Sequence, residues 1–239
     1  MKLNLDCPLN SLSMGQISYG VLNELFNRNV DVFLLPKNRT ADLNAYDRAP
    51  ESFKSKLKYS IEENAKSYSY DDPGLVIWHL YDSYSKPSKE NFLLTFHELD
   101  SLTEQEATVL NSFEKVFVTS NFTKNVFEEN GVKVPVIHVP MGFDNTHTYK
   151  IQKEYYPPNV TSWLIAGKFE KRKHTKKAVQ GWLSLYANNP DHRLHLLINN
   201  PFYNQESMNA VFADIFQGKP LPSNVLIMNH LPQNSQVND

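Results

Sequence analysis

A single cysteine, Cys7, occurs in 239 residues. That excludes an intramolecular disulfide and any cysteine-built metal centre, and it suits a reducing compartment. Cys7 falls where the first strand should end and reads as a packing residue rather than a nucleophile. Glycine is scarce, with 8 in the chain. Neither G-x-G-x-x-G nor G-x-x-x-x-G-K-S/T occurs, which removes the classical dinucleotide fingerprint and the P-loop. No G-x-S-x-G elbow is present, so hydrolase chemistry has no foothold. H-x-x-x-H pairs and D-x-D motifs are also missing. His192 and His195, three apart on a strand, point to opposite faces. No metal site is expected. No apolar run reaches the roughly 18 residues of a membrane span. The opening MKLNLDCPLN has no apolar signal core, so no secretory leader is expected. Without one, the Asn-x-Thr triplets at Asn38, Asn121 and Asn159 carry no meaning as glycosylation acceptors. Charge of one sign is not in excess either: 24 Lys and Arg stand against 26 Asp and Glu, a net charge of -2. The protein as a whole is not a polyanion binder, so any basic site must be local.

What is present is a soluble composition, 41% hydrophobic and 21% charged. It can build one large or two ordinary domains. Strand-like and helix-like segments alternate from the start. Residues 2–5 read as a strand and 13–16 as a turn. Residues 17–27 read as a helix, with Val21, Leu22, Leu25 and Phe26 on one face. A strand over 30–35 is closed by Pro36, and a solvated surface helix covers about 51–64. Further strands are expected at 74–81, 91–96, 115–119 and 134–139. Thr103 and Glu106 form a capping-box pattern for a helix over 103–112. Ser120 caps a helix to Asn130, and Gly131 ends it. Residues 145–160 look like a linker. The pattern then restarts, with strands at 163–166, 192–198 and 225–228 and a helix over 205–216. Apolar strands alternating with helices imply an α/β fold of parallel sheets covered on both faces. Right-handed crossovers place the turns after each strand on one edge, where open α/β sheets bind ligands.

Three groups on that expected edge could carry chemistry. The stretch 162–182, SWLIAGKFEKRKHTKKAVQGW, reads as a strand, Gly167, and a turn leading into a helix. Its turn and first helical turn carry Lys168, Lys171, Arg172, Lys173, His174, Lys176 and Lys177. A helix N-terminus already holds about +0.5 of a charge, so cations there are disfavoured unless an anion completes the site. The alternative is a solvated basic face. Nucleic acid is not expected as the partner, because only Phe169 interleaves the cations and the chain is net acidic. His97 follows an apolar strand and precedes Glu98 and Asp100. It is either a functional histidine at a strand end or a capping one. His79 lies inside a strand and reads as structural. Gly15, Gly142 and Gly167 each sit where a strand hands over, which permits close approach of a ligand or simply makes a turn.

In order along the chain stand Asn10 to Ser18, Phe96-His97-Glu98-Leu99-Asp100, Val118 to Lys124, Val139-Pro140-Met141-Gly142-Phe143-Asp144 and Ala166-Gly167-Lys168…Lys173. With these five segments the sequence resembles the GT-B-fold glycosyltransferases, in particular the retaining group 1, or family 4, enzymes. The resemblance implies two Rossmann-like domains facing across a cleft, an N-terminal acceptor-side domain over 1–144 and a donor-side domain over 161–239. It implies a nucleotide-diphosphate-sugar donor and a glycan, lipid or small-molecule acceptor, with no further cofactor. The location implied is cytoplasmic, free or peripheral at a membrane surface. Lys168 takes the place of the family's arginine and Lys173 matches its lysine, both on the donor diphosphate with Arg172 in support. His174 stands where the family often has glycine. Gly15 matches a loop near the donor phosphates, and His97 a histidine near the transferred sugar. Glu98, Ser120 and Asn121 are acceptor- or sugar-side candidates. The family's late pair of glutamates has no counterpart here, so the second domain is expected to be incomplete, its sheet covered by a second chain or by self-association. The competing readings are a non-catalytic binding module or split subunit that retains the fold, and a relative that isomerises a nucleotide sugar.

Overall fold

The computed structural model describes residues 2–80, 83–142, 144–149 and 158–238. The chain divides into two compact units, residues 1–150 with 232–239, and residues 151–231.

The first unit contains β1 (Lys2–Leu9), α1 (Ser13–Asn27), β2 (Asp31–Ala41), α2 (Glu51–Glu62), β3 (Gly74–Ile77) and β4 (Asn91–Thr95), then α3 (Glu104–Leu110), β5 (Lys115–Val118), α4 (Asn121–Glu129) and β6 (Val136–His138). Its sheet is parallel, in the order β2-β1-β3-β4-β5-β6. β1 is buried on both faces beyond its first residue. Leu5, Cys7 and Leu9 pack with Met14, Tyr19 and Leu22 of α1. On the other side of the sheet Val76, Leu93, Val116 and Val118 pack with Val109, Leu110, Val126 and Phe127. The buried Asn4 donates to Ser69 O at 2.8 Å and to Ser88 Oγ at 2.9 Å, so its amide is satisfied.

β1 and β2 run past their expected ends at Leu5 and Leu35. Proline does not stop them; it shifts their register. Cys7 pairs with Pro36, and the next pair is Leu9 with Ala41. Pro8 has no N–H to offer the ladder, and residues 37–40 of β2 bulge out opposite it. Asn38 (φ 58°) and Arg39 (φ 56°) are both left-handed there, a conformation that non-glycine residues adopt rarely.

α1 begins at Ser13, so Gly15 lies in its first turn and not in a loop. A Cβ at Gly15 would stand 2.2 Å from Asn10 O. The glycine is demanded by the chain folding back over the helix start. The cap signals hold. Thr103 N–H donates to Glu106 Oε2 at 2.8 Å, and Glu106 N–H donates to Thr103 Oγ1 at 3.2 Å. Ser120 Oγ accepts from Thr123 N–H at 3.1 Å. Gly131, beyond the α4 cap Asn130, has φ 87°. Gly142 shows no such need, since a Cβ there would meet open space. Phe143 of the same motif lies outside the described residues.

The second unit contains β7 (Thr161–Ala166), α5 (Thr175–Tyr186), β8 (His192–Leu197), α6 (Gln205–Phe216) and β9 (Val225–Ile227). Its three strands are parallel, in the order β7-β8-β9. Leu194, Leu196 and Ile198 pack with Val179, Trp182, Ile215 and Phe216. Coverage of both faces, expected from the apolar strands, fails at the edge strand β7, where Leu164 is 65% exposed.

The helix α7 (Asn234–Asn238) belongs to the first unit, not to the second as the sequence order suggests. Asn234 and Gln16 exchange side-chain hydrogen bonds at 2.8 and 3.0 Å. Asn234 N–H donates to Ala45 O at 2.9 Å, and Ser235 bonds Asp47. Residues 145–149, read as the start of a linker, also belong to this unit, while residues 150–157 of that stretch lie outside the described residues. His147 is buried, with Nδ1 2.7 Å from Asp144 Oδ2, and its Nε2 accepts from Arg48 N–H at 3.3 Å. No described helix is long and apolar enough to cross a membrane.

Two glycines of α1 make opposite predictions. Gly15→Ala should destabilise by about 1–3 kcal/mol through overpacking against Asn10. Gly20→Ala, with nothing within 4 Å, should stabilise by roughly 0.5–1 kcal/mol. Urea unfolding midpoints of the two variants check both signs.

Candidate functional site

In the first unit the strand order reverses between β1 and β3, and the crevice beyond their C-terminal ends is where such sheets take ligands. Asp6 of β1 and Lys37 of β2 form an ion pair of 2.8 Å there, their side chains only 7% and 15% exposed. Lys37 Nζ is 5.8 Å from the centre of the Trp78 ring, and Trp78 lies 5.2 Å from the His79 ring. β3 stops at Ile77, so His79 sits past the strand end and not inside the strand. Asp6, Lys37 and Trp78 did not emerge from the sequence pattern. The one signal for them is an acid set between Leu5 and Cys7 within a strand.

His97 follows β4, as expected. Its Nε2 is 2.9 Å from Ser101 O, and its ring lies 5.5 Å from that of Phe127. A neutral His97 therefore donates Nε2–H to the carbonyl and keeps Nδ1 as an acceptor. Thr123 Oγ1 donates to His97 O at 3.0 Å, and Ser120 Oγ donates to Thr123 Oγ1 at 3.0 Å. The cap of α4 is thereby tied to the loop that carries His97. Backbone hydrogen bonding from Thr103 holds the Glu106 carboxyl below its usual range, with the His97 ring a smaller contributor. Glu98 and Asn121 are exposed.

In the second unit the basic turn follows β7. Gly167 has φ 121° and donates its N–H to Leu197 O at 2.9 Å. Lys173 Nζ lies 3.3 Å from where a Gly167 Cβ would be. The cations at 168–173 precede the helix. Lys171–Lys173 form a single 3-10 turn, His174 is left-handed at φ 52°, and α5 starts at Thr175. The left-handed residue explains why glycine suits this position. Glu170 sits among the cations. Its Oε1 is 2.6 Å from Lys168 Nζ, and its Oε2 is 3.1 Å from Arg172 Nε. Lys168 Nζ also lies 5.0 Å from the centre of the Phe202 ring, which belongs to the loop after β8. Lys176 pairs with Asp214 at 2.6 Å. Among the described residues Lys173 makes no ion pair within 4 Å. The structure thus brings Lys168, Arg172 and Lys173 to one turn, and it adds Glu170 and Phe202, which sequence reasoning passed over.

No family model matches the sequence, and no curated protein matches it. Solved structures do. The sucrose-phosphate synthase of Thermosynechococcus elongatus is similar over 100% of this chain and 72% of its own, with a TM-score of 0.62 and 14% identity. A mutant of the O-GlcNAc transferase of Thermobaculum terrenum is similar over 99% of this chain, with a TM-score of 0.54 and 9% identity. This chain spans 46% of that second protein's length. The fold is α/β of the GT-B type, with parallel Rossmann-like sheets.

The Lys168 ammonium 2.6 Å away, with the Arg172 and Lys173 charges beside it, holds the Glu170 carboxyl below its ordinary value. The ion pairs are complete above the ordinary glutamate range and are lost as pH falls through the lowered value. A ¹³C titration should show Glu170 titrating low, and Lys168→Met should return it upward.

Proposed function

We propose that the chain is a glycosyltransferase that uses a nucleotide-diphosphate sugar, retains configuration at the transferred carbon and needs no metal. The observation that carries this reading is the turn after β7, where a left-handed glycine brings backbone and the Lys168, Arg172 and Lys173 side chains to one strand end. Its support is the fold, shared with a sucrose-phosphate synthase and an O-GlcNAc transferase.

The chemistry follows from charge. The bond between the sugar's anomeric carbon and the phosphate oxygen breaks, and its electron pair leaves with the nucleoside diphosphate. Lys168 and Lys173, with Arg172 beside them, stabilise that developing anion in place, which lowers the barrier without proton transfer from the protein. The acceptor's hydroxyl attacks from the face the diphosphate leaves, and its proton passes to the departing phosphate oxygen. No dedicated protein base is then required. Lysine is a point charge where a bidentate arginine would impose geometry, so the grip on the diphosphate is less directional.

His97, Glu98, Ser120 and Asn121 of the first unit serve the sugar and acceptor. His97 suits such a role because its Nε2 is held by Ser101 O and its Nδ1 is left to accept from a sugar hydroxyl. The acceptor is a glycan, a lipid or a small hydroxyl compound.

Calorimetry with UDP, GDP and ADP tests the site. Lys173→Ala should weaken binding of the preferred diphosphate about tenfold, the loss of one charge-assisted hydrogen bond. Lys176→Ala should do little, because Lys176 is engaged with Asp214. Equal losses would make the cluster a solvated face. Thermal shifts with the matching sugar nucleotides should grow with concentration, by about 2.7 kcal/mol of stabilisation at a hundred times Kd.

A further inference from the structure

We propose that Glu170 is a resident counter-anion of the basic turn, occupying with its carboxylate the place a diphosphate would claim between Lys168 and Arg172. An incoming ligand must displace it, so Glu170 sets both the affinity of the turn and its preference for multiply charged anions. This rests on reading the turn as an anion site.

Six cations, Lys168, Lys171, Arg172, Lys173, Lys176 and Lys177, fall within ten residues, and Glu170 is the only carboxylate in that run. Its two oxygens are divided between two of the cations assigned to the diphosphate, Oε1 at 2.6 Å from Lys168 and Oε2 at 3.1 Å from Arg172. Both contacts are ion pairs without hydrogen-bond geometry, although Oε2 is shut off from solvent. A carboxylate chosen only to stabilise the turn would align with its guanidinium, as bidentate Arg–carboxylate pairs do. This one is held near both Lys168 and Arg172 by charge, without hydrogen-bond alignment to either. The backbone of Glu170 has a separate task, since its carbonyl accepts from Lys173 N–H at 3.2 Å. The side chain can therefore leave the cations while the turn keeps its shape.

A carboxylate carries one negative charge and a diphosphate carries more. For the same pair of cations the diphosphate wins the exchange by Coulomb energy, whereas a singly charged anion gains nothing by replacing Glu170. The arrangement thus keeps chloride and simple carboxylates out and yields to phosphates. Lys168, between Glu170 and the exposed Phe202 ring at 5.0 Å, retains a partner when the carboxylate swings away.

Isothermal titration of the full chain with inorganic pyrophosphate tests this apart from any sugar nucleotide. Glu170→Gln should bind pyrophosphate about tenfold more tightly than the unsubstituted protein, and added chloride should compete with pyrophosphate more strongly in the variant. Asp214→Asn adds the same unit of charge beside Lys176 and should give a much smaller gain. An equal gain from Asp214→Asn, no gain from Glu170→Gln, or no pyrophosphate binding by either protein would overturn the proposal. If Glu170→Gln gains as expected but no nucleoside diphosphate binds, the glycosyltransferase reading fails and the counter-anion stands. A second measurement needs no variant. Saturating pyrophosphate should move the Glu170 ¹³Cδ resonance and raise the pH at which it titrates. An unmoved resonance would show the carboxylate still in place and sink the idea.

Discussion

Strand β1 is hydrogen-bonded on both sides and buried on both faces, and the first unit is arranged around what that position can tolerate. It contains an acid, Asp6, where a lone charge would carry a penalty of several kcal/mol. Lys37 removes the penalty, and it comes from the bulge of β2 that opens where Pro8 has no N–H. The bulge in turn places Asn38 and Arg39 in left-handed backbone, roughly 1–3 kcal/mol of strain each. Acid, proline, bulge and strain form one linked arrangement at the sheet edge where the strand order reverses. A purely stabilising solution would put an aliphatic residue at position 6 and let β2 continue straight. The arrangement marks that edge as kept for something other than packing.

The second unit handles charge the opposite way. It leaves its cations near water and supplies a carboxylate from within. The tension between a basic run and a positive helix start is eased by geometry as well, because the 3-10 turn and the left-handed His174 put Lys168 to Lys173 ahead of the helix axis. Only Lys176 and Lys177 lie in the first turn of α5, and Lys176 is paired across to α6. The field at the turn is thus set by side chains more than by the helix dipole.

Much of this is legible in the sequence. The alternation of apolar strands with capped helices gives the parallel sheets, and the Thr103–Glu106 and Ser120 caps are found where their spacing puts them. Local rules succeed there because caps involve residues three apart. They fail where the deciding partner is distant in sequence. Pro36 reads as a strand end, yet the ladder resumes beyond it because β1 is held from both sides. Gly15 reads as a turn glycine, but the requirement comes from Asn10 folding over it. In the candidate site the cations were visible as a run. Glu170 was visible too, but its role depends on the direction of two side chains. Asp6, Lys37 and Trp78 meet only through strand register, which no local pattern encodes.

The helix α7 docks on Gln16, Ala45 and Asp47, and His147 is buried beside Arg48, so the chain leaves and re-enters the first unit over neighbouring stretches of its surface. The second unit is therefore an insertion tethered at both ends. On a ribosome the first unit emerges lacking α7 until about 80 more residues have been made. At roughly 5–20 residues per second, that is a wait on the order of ten seconds. During that interval the amide of Gln16 and the carboxylate of Asp47 face water in place of α7, and the nascent first unit must hold together on its sheet and α1–α4.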